Sequence, residues 1–262
     1  MYLKKEYPDI TLEYIQKLLK LMGNESIEVK DIEQKVVYSS KEEIINNNKI
    51  DQNELYSEKV SKDLKKYYVS IRLWHNSFIT FPKVKETWSY YFLSSLYPVK
   101  PNTTRDSLMI FIHGGGFVGM STHSHEIFLR DWSNMLNIPI IGINYRLAPE
   151  YKYPYGLNDC YQAYRWIIDH SEQVMGIKVK KLILAGDSSG ASFVLYLVYL
   201  LIAKNEFEKE NIRLPDLIIP LYPCCNTTLK GMNLSLLLSL KDFLLNDKFL
   251  SYVSEAYRGH YN

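Results

Sequence analysis

Short apolar runs alternate with helical patterns over the second half of the chain. The runs cover residues 108–112, 138–145, 181–185 and 217–222. They lack the alternation of polar and apolar residues that marks a half-exposed strand, and this is typical of strands covered on both faces. Segments with helical apolar spacing lie between them, at 125–137, 156–170 and 191–203. Strands that alternate with helices predict a doubly wound α/β fold with a mostly parallel sheet.

The first 105 residues have a different pattern. The apolar spacing of residues 10–22 predicts a helix that ends at Gly23. Residues 68–81 are apolar and aromatic, so we expect them to pack against the rest of the protein. The sequence therefore predicts a helical, cap-like N-terminal region over residues 1–105 and an α/β domain over residues 106–262.

Composition excludes several classes of function. The net charge of +2 over 262 residues gives no electrostatic reason to bind nucleic acid. An odd count of three cysteines, two of them adjacent, argues against a disulfide framework and favours a reducing, cytoplasmic location. No Cys and His spacing predicts a metal site, and no cofactor is predicted.

The most apolar stretch bears on membranes. Residues 191–203 are shorter than the roughly 20 residues that span a bilayer. The sequence therefore predicts a buried core helix and no transmembrane segment, with at most peripheral contact with lipid surfaces.

The clearest candidate for a catalytic motif is Gly-Asp-Ser-Ser-Gly at residues 186–190. They lie between the predicted strand 181–185 and the predicted helix 191–203. A serine at such a strand–turn–helix junction forms the nucleophile elbow, in which a sharp turn exposes the hydroxyl. The pattern predicts Ser188 as a nucleophile.

A second motif, His-Gly-Gly-Gly-Phe at residues 113–117, directly follows the predicted strand 108–112; we call it the glycine loop. Glycines leave backbone N–H groups unobstructed, and such donors stabilise the oxyanion of an acyl-transfer reaction. His113 lies at the strand end beside this loop, so we predict that it holds the loop by a structural hydrogen bond rather than acting as a general base.

From residue 108 to 259 the chain resembles the hormone-sensitive lipase family of α/β-hydrolases, which carries both motifs. The resemblance implies an α/β-hydrolase fold and a carboxylic-ester hydrolase (a lipase or esterase) acting on acyl lipids such as acylglycerols or sterol esters. It implies Ser188 as nucleophile and an oxyanion hole formed by Gly114, Gly115 and the N–H of Ser189. It also makes Asp187 structural. Further matching blocks lie at 124–126, 145–150, 153–154, 236–240 and 254–259.

The remaining triad members are missing from the expected places. In this fold the serine is followed by an acid and then a histidine, each after its own later strand. His260 is the one histidine after Ser188. Asp242, Asp247 and Glu255 precede it, but the 13 residues between Asp247 and His260 do not hold a helix and a strand.

Three earlier histidines do not fill this gap. His123, His125 and His170 lie on predicted helices or loops before the serine, where we predict surface or capping roles. No strand is predicted after 217–222, only helices at 234–240 and 249–257. We therefore expect a sheet that lacks its last strands, with 217–222 as an unprotected edge, in a C-terminally truncated gene model or one part of a longer lipase.

Two alternatives to an active hydrolase remain open. The chain is either a catalytically dead or fragmentary family member, or a non-catalytic module that binds a lipid or small molecule, as the related gibberellin receptors of plants do.

Overall fold

The computed structural model describes residues 2–22, 68–74, 106–175, 177–225, 242 and 245–258. The strands are β1 (Tyr2–Lys4), β2 (Tyr68–Trp74), β3 (Ser107–Ile112), β4 (Ile140–Asn144), β5 (Lys181–Asp187) and β6 (Leu217–Leu221). The helices are α1 (Leu12–Leu21), α2 (Glu126–Leu136), α3 (Tyr155–Met175), α4 (Ser188–Ala203), a π-helical turn (Lys204–Glu208) and α5 (Asp247–Arg258).

The six strands form one mixed sheet in the order β1-β2-β4-β3-β5-β6. Strands β4, β3, β5 and β6 run parallel, while β1 and β2 pair antiparallel at one side. The predicted α/β fold is confirmed. All four predicted strands are present, and the parallel order places the loops after β3 and β5 side by side at the carboxyl edge of the sheet.

Both faces of the central sheet are buried, as the continuous apolar runs predicted. In β3, Leu108, Ile110 and Ile112 belong to a core cluster with residues of α3 and α4. Met109 and Phe111 point to the other face, where they join a second cluster with Leu129 of α2. Successive side chains of a strand point to opposite faces, so an uninterrupted apolar run fills both cores.

The predicted helical N-terminal region needs a correction in its described parts. Helix α1 lies close to the predicted range of 10–22, but β1 and β2 are strands of the same sheet as the α/β domain. Val69 and Ile71 are buried on one side of β2, so residues 68–74 of the aromatic segment pack against the protein, as a strand. Residues 75–81 lie outside the described part. The division of the chain at residue 105 stays a prediction.

The other predicted helices lie close to their observed bounds. Helices α2, α3, α4 and α5 correspond to the ranges 125–137, 156–170, 191–203 and 249–257. The predicted helix at 234–240 lies outside the described residues.

Strand β6 is the edge of the described sheet, in agreement with the sequence. Leu217 is about half exposed, with a relative accessibility of 51%. Pro220 lies within the strand and pairs with Gly186. Proline has no N–H to donate, and within sheets it is found at edges, first positions and bulges.

The helix after β5 is longer than the apolar stretch that predicted it. Helix α4 and its π-helical turn run together over 21 residues, which by length and composition alone could cross a membrane. A core helix passes the same test, and 56% of its most apolar window is buried inside the protein. Phe193, Val194 and Leu197 are among its wholly buried side chains.

Candidate active site

Ser188 is the first residue of α4, directly after β5. Its φ of 51° lies in the left-handed region, which non-glycine residues seldom adopt. The side chain is half-buried, and its hydroxyl has no hydrogen bond to any residue that the structure describes. This is the strained, accessible geometry that the sequence motif predicted for a nucleophile elbow.

The two glycines around Ser188 permit this turn because the backbone of β3 passes close by. A Cβ on Gly186 would lie 2.7 Å from the carbonyl oxygen of Ile112. A Cβ on Gly190 would collide with the same oxygen and lie 2.5 Å from the carbonyl oxygen of His113. The serine turn and the start of the glycine loop are therefore in direct backbone contact.

The glycine loop divides into an inward and an outward part. Gly114 is buried, and its N–H donates to Asp187 Oδ1 at 2.8 Å. Gly115 and Gly116 are half-buried at φ values of 115° and 63°. The oxyanion role predicted for Gly114 thus needs correction, because a carboxylate already occupies its N–H. The roles of Gly115 and Ser189 stay predictions.

His113 holds the loop, as the sequence predicted. Its Nδ1 lies 2.7 Å from the carbonyl oxygen of Gly114, and the ring stacks on Tyr145 with centroids 4.3 Å apart. The Tyr145 hydroxyl donates to the carbonyl oxygen of His113 at 2.9 Å. Because a carbonyl oxygen only accepts, Nδ1 carries the proton of a neutral ring. Burial lowers the pKa of His113 to about 4.

Acidification is expected to destabilise the fold through His113. Its pKa lies below the value of about 6.5 of a histidine in the unfolded chain. At a pH between these two pKa values, the unfolded chain therefore binds more protons than the folded protein. The stabilisation is complete above about pH 6.5 and falls with pH by about 1.4 kcal/mol per unit. We expect urea unfolding to lose less stability towards acid pH in His113→Gln than in the wild type. The exposed His123→Gln should retain the wild-type slope, and an unchanged slope in His113→Gln would contradict the prediction.

His125 corrects the expected surface or capping role. It occupies the N-cap position of α2 but makes no capping bond, and it is only 4% exposed. Its Nε2 lies 3.0 Å from Asp187 Oδ1. Burial lowers the pKa of His125, yet the Asp187 carboxylate outweighs burial and the net shift is upward. Burial likewise opposes ionisation of Asp187, yet His125 and the Gly114 N–H hold its pKa below the ordinary value.

Helix α5 covers the glycine loop. Phe117 stacks on Tyr257 with ring centroids 3.9 Å apart, and the side chain of Val253 lies against Gly116. The carbonyl oxygen of Phe117 accepts from the N–H of Ala148 at 2.9 Å. The loop is thus held from three sides, by β5, by the segment after β4 and by α5.

No described histidine is paired with Ser188. His123 contacts Glu126, and the Nδ1 of His170 lies 3.0 Å from the carbonyl oxygen of Trp166. His113 and His125 are engaged as given above. His260 lies outside the described residues.

Neither Asp242 nor Glu255 is paired with a histidine that the structure describes. Asp242 Oδ1 accepts from the N–H of Leu245 at 2.7 Å, which is a turn contact. Glu255 is exposed on α5. The side chain of Asp247 lies outside the described residues.

Comparison with known proteins decides the family. A sequence profile described as alpha/beta hydrolase fold matches residues 109–260, more than half of the chain. The chain belongs to the α/β-hydrolase family. This α/β-hydrolase is 38% identical to the hormone-sensitive lipase of Mus musculus over 154 residues, which are 58% of the chain and 19% of the lipase. It is 32% identical to the ethyl acetate hydrolase of Pseudomonas putida over 115 residues, 44% of the chain and 34% of that protein.

A solved structure agrees on the fold of this α/β-hydrolase. An esterase from Pyrobaculum calidifontis matches with a TM-score of 0.59 at 20% identity, over 75% of the chain and 54% of the esterase. The α/β-hydrolase thus spans about half the length of that esterase and about a fifth of the mouse lipase.

Sequence reasoning missed two residues that hold the glycine loop in this α/β-hydrolase. His125 and Tyr145 were not linked to the glycine loop because their partners come from other strands. One signal for His125 was available, since Asp187 at a buried strand end needs a cationic or N–H partner.

Proposed function

We propose that this α/β-hydrolase hydrolyses carboxylic esters of acyl lipids, with Ser188 as the nucleophile. The observation that carries the proposal is the position of Ser188, strained at positive φ between two glycines that press on β3. The lipases and esterases among the relatives support the reaction class, and the hormone-sensitive lipases favour acyl-lipid substrates. The predicted cytoplasmic location and peripheral contact with lipid surfaces belong to the same proposal.

The oxyanion donors in this proposal are the N–H groups of Gly115, Gly116 and Ser189. No hydrogen bond among the described residues uses the N–H of Gly115 or Gly116. Ser189 lies in the first turn of α4. The N–H groups of a first turn have no carbonyl partner within the helix, and they lie at the positive end of the helix dipole. Such preorganised donors stabilise the charge that develops on the ester carbonyl oxygen, each by a factor of about 10²–10³ in rate.

The reaction would follow the acyl-enzyme route. Ser188 Oγ attacks the ester carbonyl carbon and loses its proton, the alcohol leaves with a proton, and water then releases the carboxylic acid. A base must accept the serine proton, and each described histidine is engaged elsewhere. Without one, catalysis falls to the roughly 10³–10⁴-fold over water that oxyanion stabilisation and binding supply alone.

The test is hydrolysis of a short p-nitrophenyl ester, combined with labelling by a fluorescent alkyl phosphonate and mass spectrometry of the labelled peptide. We expect turnover and a label on Ser188 in the wild type, and the loss of both in Ser188→Ala. Ser251→Ala, on α5, provides the matched control and should behave as the wild type. Equal turnover in the wild type and Ser188→Ala would refute the proposal.

One observation favours a second candidate, a non-catalytic module that binds a lipid or small molecule. In the described part every histidine has a partner other than Ser188. This is the arrangement expected of a serine that is not used in catalysis. Saturable binding of a fluorescent fatty acyl ester that persists in Ser188→Ala, without turnover in either protein, would identify this function.

A further inference from the structure

The ring of His125 faces hydrogen-bond acceptors on both sides. Its Nε2 lies 3.0 Å from Asp187 Oδ1, and its Nδ1 lies 3.1 Å from the carbonyl oxygen of Ser121. The Ser124 hydroxyl, 3.4 Å from Nδ1, donates its proton to the same carbonyl oxygen at 2.7 Å. Carboxylate and carbonyl oxygens only accept, so both ring nitrogens carry protons and His125 is an imidazolium.

Among the residues that the structure describes, one carboxylate lies beside this cation. Asp187 faces it from the end of β5, and the neutral ring of His113 faces it from the end of β3, with centroids 5.9 Å apart. The Tyr222 hydroxyl faces the Asp187 carboxylate from the end of β6. Phenylalanine rings of β3 and α2 cover the rest of the imidazole. A buried cation in apolar surroundings requires such a partner.

Asp187 carries the effect of His125 to the site. Its Oδ1 accepts from both His125 Nε2 and the Gly114 N–H, and its backbone immediately precedes Ser188. The carbonyl of Ser121, the His125 ring, the Asp187 carboxylate and the Gly114 N–H therefore form one continuous chain of hydrogen bonds. This chain joins the glycine loop, the nucleophile turn and the segment before α2.

We propose that His125 is a positioning residue whose protonated ring holds Asp187, and through Asp187 the inward end of the glycine loop, in the arrangement that ester hydrolysis needs. The catalytic part of this inference rests on the proposed function; the coupling of His125 to Gly114 does not. With Gly114 tied to Asp187, the chain turns at Gly115 and Gly116, both at positive φ, and no hydrogen bond among the described residues uses their N–H groups.

The arrangement makes the site sensitive to alkaline pH. The net pKa of His125 is raised, so its stabilising effect is complete below the ordinary value of about 6.5 and is lost as pH rises through the folded value. Deprotonation places the Nδ1 lone pair against the carbonyl oxygen of Ser121, which breaks the chain of hydrogen bonds at that contact.

The decisive experiment is an NMR titration of the full chain with isotope-labelled histidine and backbone amides. We expect both ring nitrogens of His125 to carry protons at pH near 6.5, and the Gly114 amide proton to shift with the same midpoint as the ring. In Asp187→Asn the midpoint should fall and the Gly114 shift should disappear. The exposed His123→Gln should leave both signals unchanged. A singly protonated His125 ring at pH near 6.5 would overturn the proposal. So would a Gly114 amide proton whose chemical shift does not change as His125 titrates.

Kinetics separates positioning from a merely structural role. In His125→Gln we expect kcat on a p-nitrophenyl ester to fall about tenfold or more, with KM near the wild-type value. The decrease of kcat at alkaline pH that depends on His125 should also disappear. An unchanged kcat and pH profile would overturn the positioning role. A wild type without phosphonate label or turnover, but with both NMR signals intact, would instead refute the hydrolase function and support the coupling, so the two failures are distinguishable.

Discussion

Replacing Gly190 by alanine is expected to destabilise the protein by about 3 kcal/mol, because the new methyl group has no space. It would collide with the carbonyl oxygen of Ile112 and lie 2.5 Å from that of His113. Both obstacles are backbone atoms of the central strand β3 and the loop after it, so neither can rotate away. Since the free energy of unfolding of a domain is only about 5–15 kcal/mol, we expect a large drop in the urea midpoint and little soluble protein.

Gly119→Ala provides the matched control for this change. Gly119 lies beyond the glycine loop, and the nearest heavy atom to a Cβ there is the carbonyl oxygen of Gly115 at 3.9 Å. We expect its urea midpoint to stay near the wild-type value. If Gly190→Ala unfolded at the same urea concentration as Gly119→Ala, the close contact between the serine turn and β3 would be disproved.

Removal of the Asp159 carboxylate is expected to cost about 3–5 kcal/mol, the range for breaking a buried ion pair from one side. Asp159 on α3 receives Nε and Nη2 of Arg146, each at 2.8 Å, and the Lys5 ammonium group contacts it at 2.5 Å. Arg146 and Lys5 are both buried. In Asp159→Ala these two buried cations lose the carboxylate that they share, so the cost is that of breaking a buried ion pair from one side.

Urea unfolding measures this effect, with Asp131→Ala as control. Asp131 is an exposed residue of α2, so its loss should change the free energy of unfolding by less than about 0.5 kcal/mol. Hydrogen exchange should also rise at β1 in Asp159→Ala, because Lys5 directly follows this strand. A loss of stability below about 1 kcal/mol would show that the cluster is not a buried ion pair of the expected strength.

The sequence predicted the parallel core well because its signals are local. An apolar run such as 108–112 is visible without knowledge of its neighbours, and the helix after Ser188 is apolar throughout. The strands β1 and β2 were missed for the opposite reason. Three residues are too few to show periodicity, and the aromatic residues of 68–81 fit a helix, a strand or a loop until the partner strand β4 is known.

The residues of the candidate site also differ in how far the sequence predicts them. Ser188 and the glycines around it were predictable because the turn demands those residue types in sequence. The engagement of the Gly114 N–H and the burial of His125 depend on Asp187, which lies more than sixty residues away along the chain. A contact of this kind follows from sheet order and not from spacing, so the sequence alone did not reveal it.

The sheet order has a consequence for how the protein folds. Its pairs join distant segments, such as Met109 with Ile140 and Ser70 with Asn144. Closing such loops costs entropy before any contact is gained, and folding slows as the mean separation of contacts grows. We expect β3 to pair with β4 before β2 pairs with β4. Until β2 has paired, apolar strands remain exposed to solvent. Refolding should therefore be slow and should yield more native protein from dilute solutions than from concentrated ones.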